Sequence, residues 1–194
     1  MSDYWAGNDP YCQPSSNVLA NKFGLVDGDR LQLVEADVVR ARANLGLPNS
    51  QFSVTHYRAC HQWLFGDVYD WAGSYRSVRL TKGQSVFCYP EHIDGQMRAL
   101  FADLKSGGKL GQKARADFVT RAAWFWSEIN AIHPFREGNG RTPTLFLANL
   151  ALAGGWYLDL TRLEPDATIA AMIASFKAGS GGPLAGLVDG LIRA

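Results

Sequence analysis

Little in this chain points outward at first reading. Neither sign of charge predominates: Lys and Arg number 19, Asp and Glu 18, and the formal net charge is +1. Such a balance gives no long-range field and excludes a general nucleic-acid binder. Cysteine is scarce and odd in number. Cys12, Cys60 and Cys88 stand far apart, which excludes a disulfide framework and fits a reducing compartment. The longest apolar stretch, around Leu145 to Leu160, is interrupted by Asn149, Gly154 and Gly155. It is too broken to cross a bilayer, so no membrane partner is expected. Met1-Ser2-Asp3-Tyr4-Trp5 lacks the charged and apolar zones of a signal peptide. No repeat or low-complexity tract is evident. What remains is a 194-residue chain, 47% hydrophobic and 19% charged. That composition reads as globular, with length for one domain over residues 1–194 and a sizeable core.

Periodicity makes most of it helical. Asp29 reads as a helix start, with Leu31, Val34, Val38, Val39 and Ala43 at helical spacing up to Gly46. Ser53 caps a second helix running to Trp63 and Phe65, followed by a turn-rich bridge from Gly66 to Gly73. Pro90 opens a helix with Ile93, Met97, Leu100, Phe101 and Leu104, ending at Ser106-Gly107-Gly108. Lys113 to Ile132 follows, then a helix from Thr142 to Ala153 ending at Gly154-Gly155. Two more are expected, over Pro165 to Lys177 and Pro183 to Ile192. Only residues 75–88 change period. Val78, Leu80 and Val86 flank Thr81-Lys82-Gly83-Gln84 and read as a short hairpin. Residues 1–24 form an irregular arm anchored by Tyr4, Trp5 and Tyr11. The fold class is therefore all-α: a helical bundle with one small hairpin.

The chemistry concentrates in His133-Pro134-Phe135-Arg136-Glu137-Gly138-Asn139-Gly140-Arg141. Two glycines around an amide let the backbone turn sharply and approach a ligand. The helix that follows offers free amides and a dipole to an anion, and Pro143 suits its first turn. Arg141 adds a cation that can fork onto phosphate oxygens. Glu137 is out of place beside an anion unless a cation lies between, and Mg²⁺ is held by one or two carboxylates plus phosphates. His133, an imidazole near its intrinsic pKa, is then the general base. A blander alternative stays open for each residue alone: His133 facing the dipole of the preceding helix, and Glu137 paired with Arg141 across one turn.

Elsewhere, His56, Cys60 and His61 sit close on one helix, and His56 and Cys60 share a face, but two further metal ligands are not at fitting spacing. Trp124, Trp126 and Trp156 read as packing residues. Lys82 reads as a solvated turn lysine or a phosphate contact, and Arg136 as facing solvent or a target.

The segment resembles the signature of the Fic (Fic/Doc) family, His-x-Phe-x-Asp/Glu-Gly-Asn-Gly-Arg-x-x-Arg. It matches at His133, Phe135, Glu137, Gly138, Asn139, Gly140 and Arg141. It departs at Thr144, where the family has a second arginine. Asp9-Pro10-Tyr11 through Val18 to Gly24, His61 through Gly73 and the hairpin after it resemble the family too, so the likeness spans almost the whole chain. The resemblance implies a Fic-type helical bundle with a hairpin flap, and a protein adenylyltransferase that moves AMP from ATP to a Ser, Thr or Tyr hydroxyl of a target protein.

The resemblance also implies roles. His133 deprotonates the hydroxyl and Glu137 holds Mg²⁺. Gly138, Asn139 and Gly140 cradle the α-phosphate, Arg141 holds the β-phosphate, and Phe135 anchors the loop in the core. The flap residues Val78, Arg79, Leu80, Thr81, Lys82 and Gly83 dock the target by strand pairing. Thr144 brings no charge to the γ-phosphate. It implies weaker ATP binding, a different nucleotide or phosphodiester donor, or a catalytically weak module that binds protein. The family's inhibitory pattern, Ser/Thr-x-x-x-Glu-Gly/Asn, has no instance here, so a small separate antitoxin is the expected brake. A cytoplasmic toxin is expected, with a translocated effector as the alternative.

Overall fold

The structure is a computed structural model describing residues 9–48, 52–106 and 114–193. Its helices are α1 (Gly28–Asn44), α2 (Val54–Phe65), α3 (Pro90–Ser106), α4 (Arg115–Ile132), α5 (Arg141–Ala153), α6 (Pro165–Ala178) and α7 (Gly182–Leu191). Two short antiparallel pairs accompany them. β1 (Thr81–Lys82) pairs with β2 (Ser85–Val86), and β3 (Tyr157–Leu158) with β4 (Ile192–Arg193).

Local chemistry sets the helix starts. The Asp27 carboxylate accepts from the Arg30 amide at 2.8 Å, and the Ser53 hydroxyl from the His56 amide at 3.1 Å. Each satisfies an amide that the first turn leaves without a partner. α4 is the central helix, packed against α3, α5, α6 and α7. It buries Phe118, Ala122, Phe125, Trp126, Ile129 and Ile132, so most of its second half is enclosed by the helices around it. α2 serves two cores. Tyr57 and Cys60 join the main cluster around α4, while Leu64 and Phe65 join a second one with Leu31, Val39, Val68 and Tyr69.

The bundle follows the sequence expectation, with two corrections. The hairpin is shorter and its turn tighter: Thr81 and Lys82 are strand, and only Gly83-Gln84 turn, with Gly83 at φ +57°. A second pair, β3–β4, closes the end of the chain onto the segment after α5. Two-residue strands carry too little alternation to be read from sequence. Residues Tyr4, Trp5, Gly107, Gly108 and Lys113 lie outside the described residues. Tyr11 does anchor the arm: its ring meets Trp71 edge-on at 5.5 Å, and its hydroxyl accepts from the Ser77 amide at 3.0 Å.

Candidate active site

α4 ends in an unusual cap. His133 takes the left-handed conformation, φ 51° and ψ 60°, and its amide donates to Ile129 O at 3.0 Å. A β-carbon makes that region costly, by roughly 1–3 kcal/mol, so the surroundings must impose it. Part of the restraint is the ring, whose Nδ1 donates to Asn130 O at 3.1 Å. Part is Phe87, stacked on the imidazole with centroids 3.7 Å apart. A proton on Nδ1 leaves Nε2 as the accepting nitrogen. The expectation of an imidazole near its intrinsic pKa is corrected here. Burial, reinforced by the charges of Arg76 and Lys82, pushes His133 down to about 3. It is neutral at any physiological pH.

From His133 the chain loops back to α5. Phe135 points into the core, fully buried and stacked on His61 at 3.7 Å. Asn139 closes the loop: its side chain accepts from the Phe135 amide at 2.9 Å and donates to Phe135 O at 2.7 Å. One donor and one acceptor of its side-chain amide are thus engaged in the loop. Gly138, at φ +83°, lies behind the loop, where a β-carbon would stand 2.5 Å from the Phe65 ring. Gly140 precedes α5, has open space around it, and caps the helix with no side-chain hydrogen bond. The Thr144 hydroxyl turns back to Gly140 O at 2.8 Å.

His61 is the hidden strut. Its Nδ1 accepts from the Gly73 amide at 2.9 Å, so Nε2 carries the proton and donates to Glu137 O at 3.0 Å. Fully buried between Phe65 and Phe135, it too is pushed down to about 3. His56 and Cys60 do face each other, 3.3 Å apart, and His56 Nε2 donates to Pro48 O at 3.0 Å. Burial lifts the Cys60 thiol to about 12, against the thiolate a metal needs. Among the described residues no group of three or more His, Cys, Asp or Glu could hold a metal.

Arg141 leans over the Phe65 ring at 4.7 Å. Its carboxylate partner is Glu35 of α1, which also accepts from the Tyr69 hydroxyl. Glu137, one turn away, is 3.6 Å off, so the one-turn pair left open as the blander alternative is present but is the weaker contact. Burial and the nearby Glu35 charge raise the Glu137 carboxyl above its ordinary value. Arg136, expected at the surface, is buried against Asp9 at 2.6 Å. Its variable place in the signature points to solvent or a target, but Asp9 of the N-terminal arm folds over it.

These parts line one cleft of about 1040 Å³. His133, Glu137, Asn139, Gly140, Arg141 and Thr144 form one wall, and Lys82 and Gly83 of the flap roof it. Leu163, Ile169, Met172, Ile173 and Phe176 make the apolar wall. Gly138 is absent from the lining. Of the other flap residues, Leu80 is fully buried, Arg79 sits on Tyr89 with 4.1 Å to the ring centroid, and Thr81 pairs with Val86. A second cavity of about 550 Å³ shares Lys82, Glu137 and Arg141 and continues along α1. Sequence reasoning missed Glu35, Tyr69, Arg76, Phe87 and α6. One signal was available: Leu31, Glu35 and Val39 stand four apart, so a carboxylate interrupts an apolar stripe.

The Fic/DOC family matches residues 51–151. A probable protein adenylyltransferase of Sinorhizobium fredii, y4lH, is 42% identical over 193 residues, covering 99% of this chain and 100% of that protein. VbhT of Bartonella schoenbuchensis, a protein adenylyltransferase, is 35% identical over all of this chain but only 40% of its own length. The crystal structure of BepC from Bartonella tribocorum, with bound AMPPNP, shares the fold at TM-score 0.86 and 22% identity, over 94% of this chain and 96% of that one. With the family match, the near full-length relative and the fold in agreement, this chain belongs to the Fic/DOC family.

Proposed function

We propose that this protein transfers AMP from ATP to a hydroxyl of a target protein. One observation carries the reading: His133, Glu137, Gly140, Arg141 and Thr144 converge on one wall of a single cleft, facing an apolar wall large enough for a base and sugar. The relatives' names support the same activity. The uncapped start of α5 receives the phosphates, with Arg141 at the bridging end. The nucleoside lies against Ile169, Met172 and Ile173. Glu137 fits a magnesium ion. Among the described residues it is the one carboxylate lining the cleft, and burial and the neighbouring Glu35 charge raise its pKa, so a cation there would favour its charged form. Bound there, the ion neutralises phosphate charge.

His133 takes the hydroxyl proton on Nε2. The hydroxyl oxygen then bonds to the α-phosphorus, the bond to the β-phosphate oxygen breaks, and pyrophosphate leaves. A base held neutral by burial is ready at neutral pH, and the phosphates it faces raise its proton affinity as they bind. The target segment, carrying a Ser, Thr or Tyr, lies along the flap at Thr81 to Gly83. Thr144 offers no cation to the γ-phosphate. This favours a second reading, transfer from another nucleotide or phosphodiester donor through the same base.

The test uses ATP labelled at the α- or γ-phosphate, incubated with protein and lysate. Label entering protein only from the α position, and lost in His133→Ala, is expected. Label from the γ position overturns the reading. Absence of label from ATP, with transfer from another nucleotide, selects the second donor.

A further inference from the structure

Among the described residues Arg76 is the most deeply buried cation, 2% exposed. A charge so placed ordinarily has a carboxylate partner. Among the described residues none pairs with it. Its guanidinium is instead solvated by four backbone carbonyls: Nε donates to His133 O at 2.8 Å, one terminal nitrogen to Val78 O at 2.5 Å, and the other to Cys88 O at 2.6 Å and Ile132 O at 3.3 Å. Its own amide donates to Pro134 O at 2.9 Å.

The four acceptors belong to two structures. Ile132 and His133 are the last carbonyls of α4, where the helix dipole is negative and a cation is favoured. Val78 and Cys88 are the two feet of the β1–β2 hairpin. The Cys88 amide adds a direct link to Ala131 O at 3.2 Å, and Phe87, next in chain, carries the stack on His133. A planar fork with fixed donors is the one side chain that can hold four carbonyls at set angles.

We infer that Arg76 is the positioning residue that fastens the flap to the histidine base, holding the His133 backbone left-handed and the hairpin feet at a fixed distance from it. This rests on the proposed role of His133. Arg76 lines neither cavity, so it acts through the groups it holds. An adjustment of one end is thereby passed to the other: a target strand that shifts the hairpin shifts the base.

The experiment compares wild type, Arg76→Lys and Arg76→Gln with two readouts. Long-range ¹H–¹⁵N spectra of the histidine rings report tautomer without any substrate. In wild type His133 should show its proton on Nδ1 and His61 on Nε2. In both variants His133 should leave its single tautomer while His61 keeps its own. Label transfer from α-labelled ATP should fall about 100-fold, as for a base displaced by an ångström, with ATP affinity within about threefold of wild type. Lysine should not restore transfer, since charge without the fork does not hold four carbonyls.

An unchanged His133 tautomer overturns the inference whatever the transfer rate. So does recovery of transfer in Arg76→Lys, or failure of both variants to fold, which would assign Arg76 to the core. If wild type transfers no label, the activity reading fails while the spectra still decide the positioning of His133.

Discussion

The two glycines of the signature do different jobs, and alanine at each separates them. Gly138 sits at φ +83°, where a β-carbon costs roughly 1–2 kcal/mol. That carbon would also stand 2.5 Å from two atoms of Phe65 and 3.1 Å from His61 Nε2. Phe65 cannot swing away, because it is fully buried and stacked on His61 at 4.7 Å. Overpacking of this kind costs about 1–3 kcal/mol. Gly138→Ala should therefore destabilise the fold by roughly 2–5 kcal/mol. For a chain of this size that lowers Tm by roughly 4–20 °C.

Gly140 is the contrast. It has φ −90°, which any residue adopts, and no atom within 4 Å of an added β-carbon. Gly140→Ala should hold stability within about 1 kcal/mol, while the methyl occupies the wall where phosphate is to bind. Thermal denaturation reads the first effect, and nucleotide titration with label transfer the second. In the double variant Phe65→Leu/Gly138→Ala the clash is relieved, so the two losses should fall short of additive by about 1 kcal/mol. Equal Tm values for the two alanine variants would refute the reasoning.

The Asp9–Arg136 pair ties the N-terminal arm to the signature loop with side chains only 8% and 3% exposed. Asp9→Ala, removing the buried carboxylate partner, should cost about 3 kcal/mol in urea denaturation, and a change under 1 kcal/mol counts against it. His61 and His133 are held neutral with pKa values near 3. The unfolded chain, with both near about 6.5, binds more protons between those values. Stability is full above about pH 6.5 and falls as pH drops toward 3, by about 4 kcal/mol at pH 5 for the two rings. Glu137, shifted the opposite way, offsets part of it. Equal urea midpoints at pH 7 and pH 5 would exclude this. Glu137→Gln removes a poorly compensated charge beside Glu35, so it should raise Tm without nucleotide and abolish the magnesium response of transfer; a lower Tm would contradict the first half. Thr144→Arg should tighten ATP binding several-fold by titration calorimetry, and unchanged affinity would remove the γ-phosphate argument.

The parts legible from sequence were those encoded by contiguous residues. Helical spacing gave α1 to α7 nearly to the residue. The run from His133 to Arg141 gave most of one cleft wall, because its members are neighbours in chain in the loop between α4 and α5. Long-range partners were not legible. Glu35 meets Arg141 across 106 positions, and Arg76 meets His133 across 57. No local pattern specifies such pairs. Arg136 failed for the same reason, since what covers it is Asp9 at the other end of the described chain. The apolar cleft wall of α6 was read as a helix but not as part of the site, since its position depends on packing against α4.

Burial and pKa do not by themselves choose the base. His61 and His133 are both nearly inaccessible, both stacked on a phenylalanine, and both pushed down to about 3. What separates them is which nitrogen holds the proton and where the other is placed. In His61 both nitrogens are bound by backbone, Gly73 on one side and Glu137 on the other. Protonating it would break the Gly73 contact and loosen the loop, so its chemistry is spent on structure. In His133 the backbone claims Nδ1, and the ring lines the cleft beside Glu137 and Gly140. A proton gained on Nε2 there leaves the Asn130 contact intact. In the proposed reaction an anion at the start of α5 would compensate the new charge. On the proposed function, the fold would thus hold one histidine whose protonation is costly everywhere and one whose protonation would become favourable with phosphate bound.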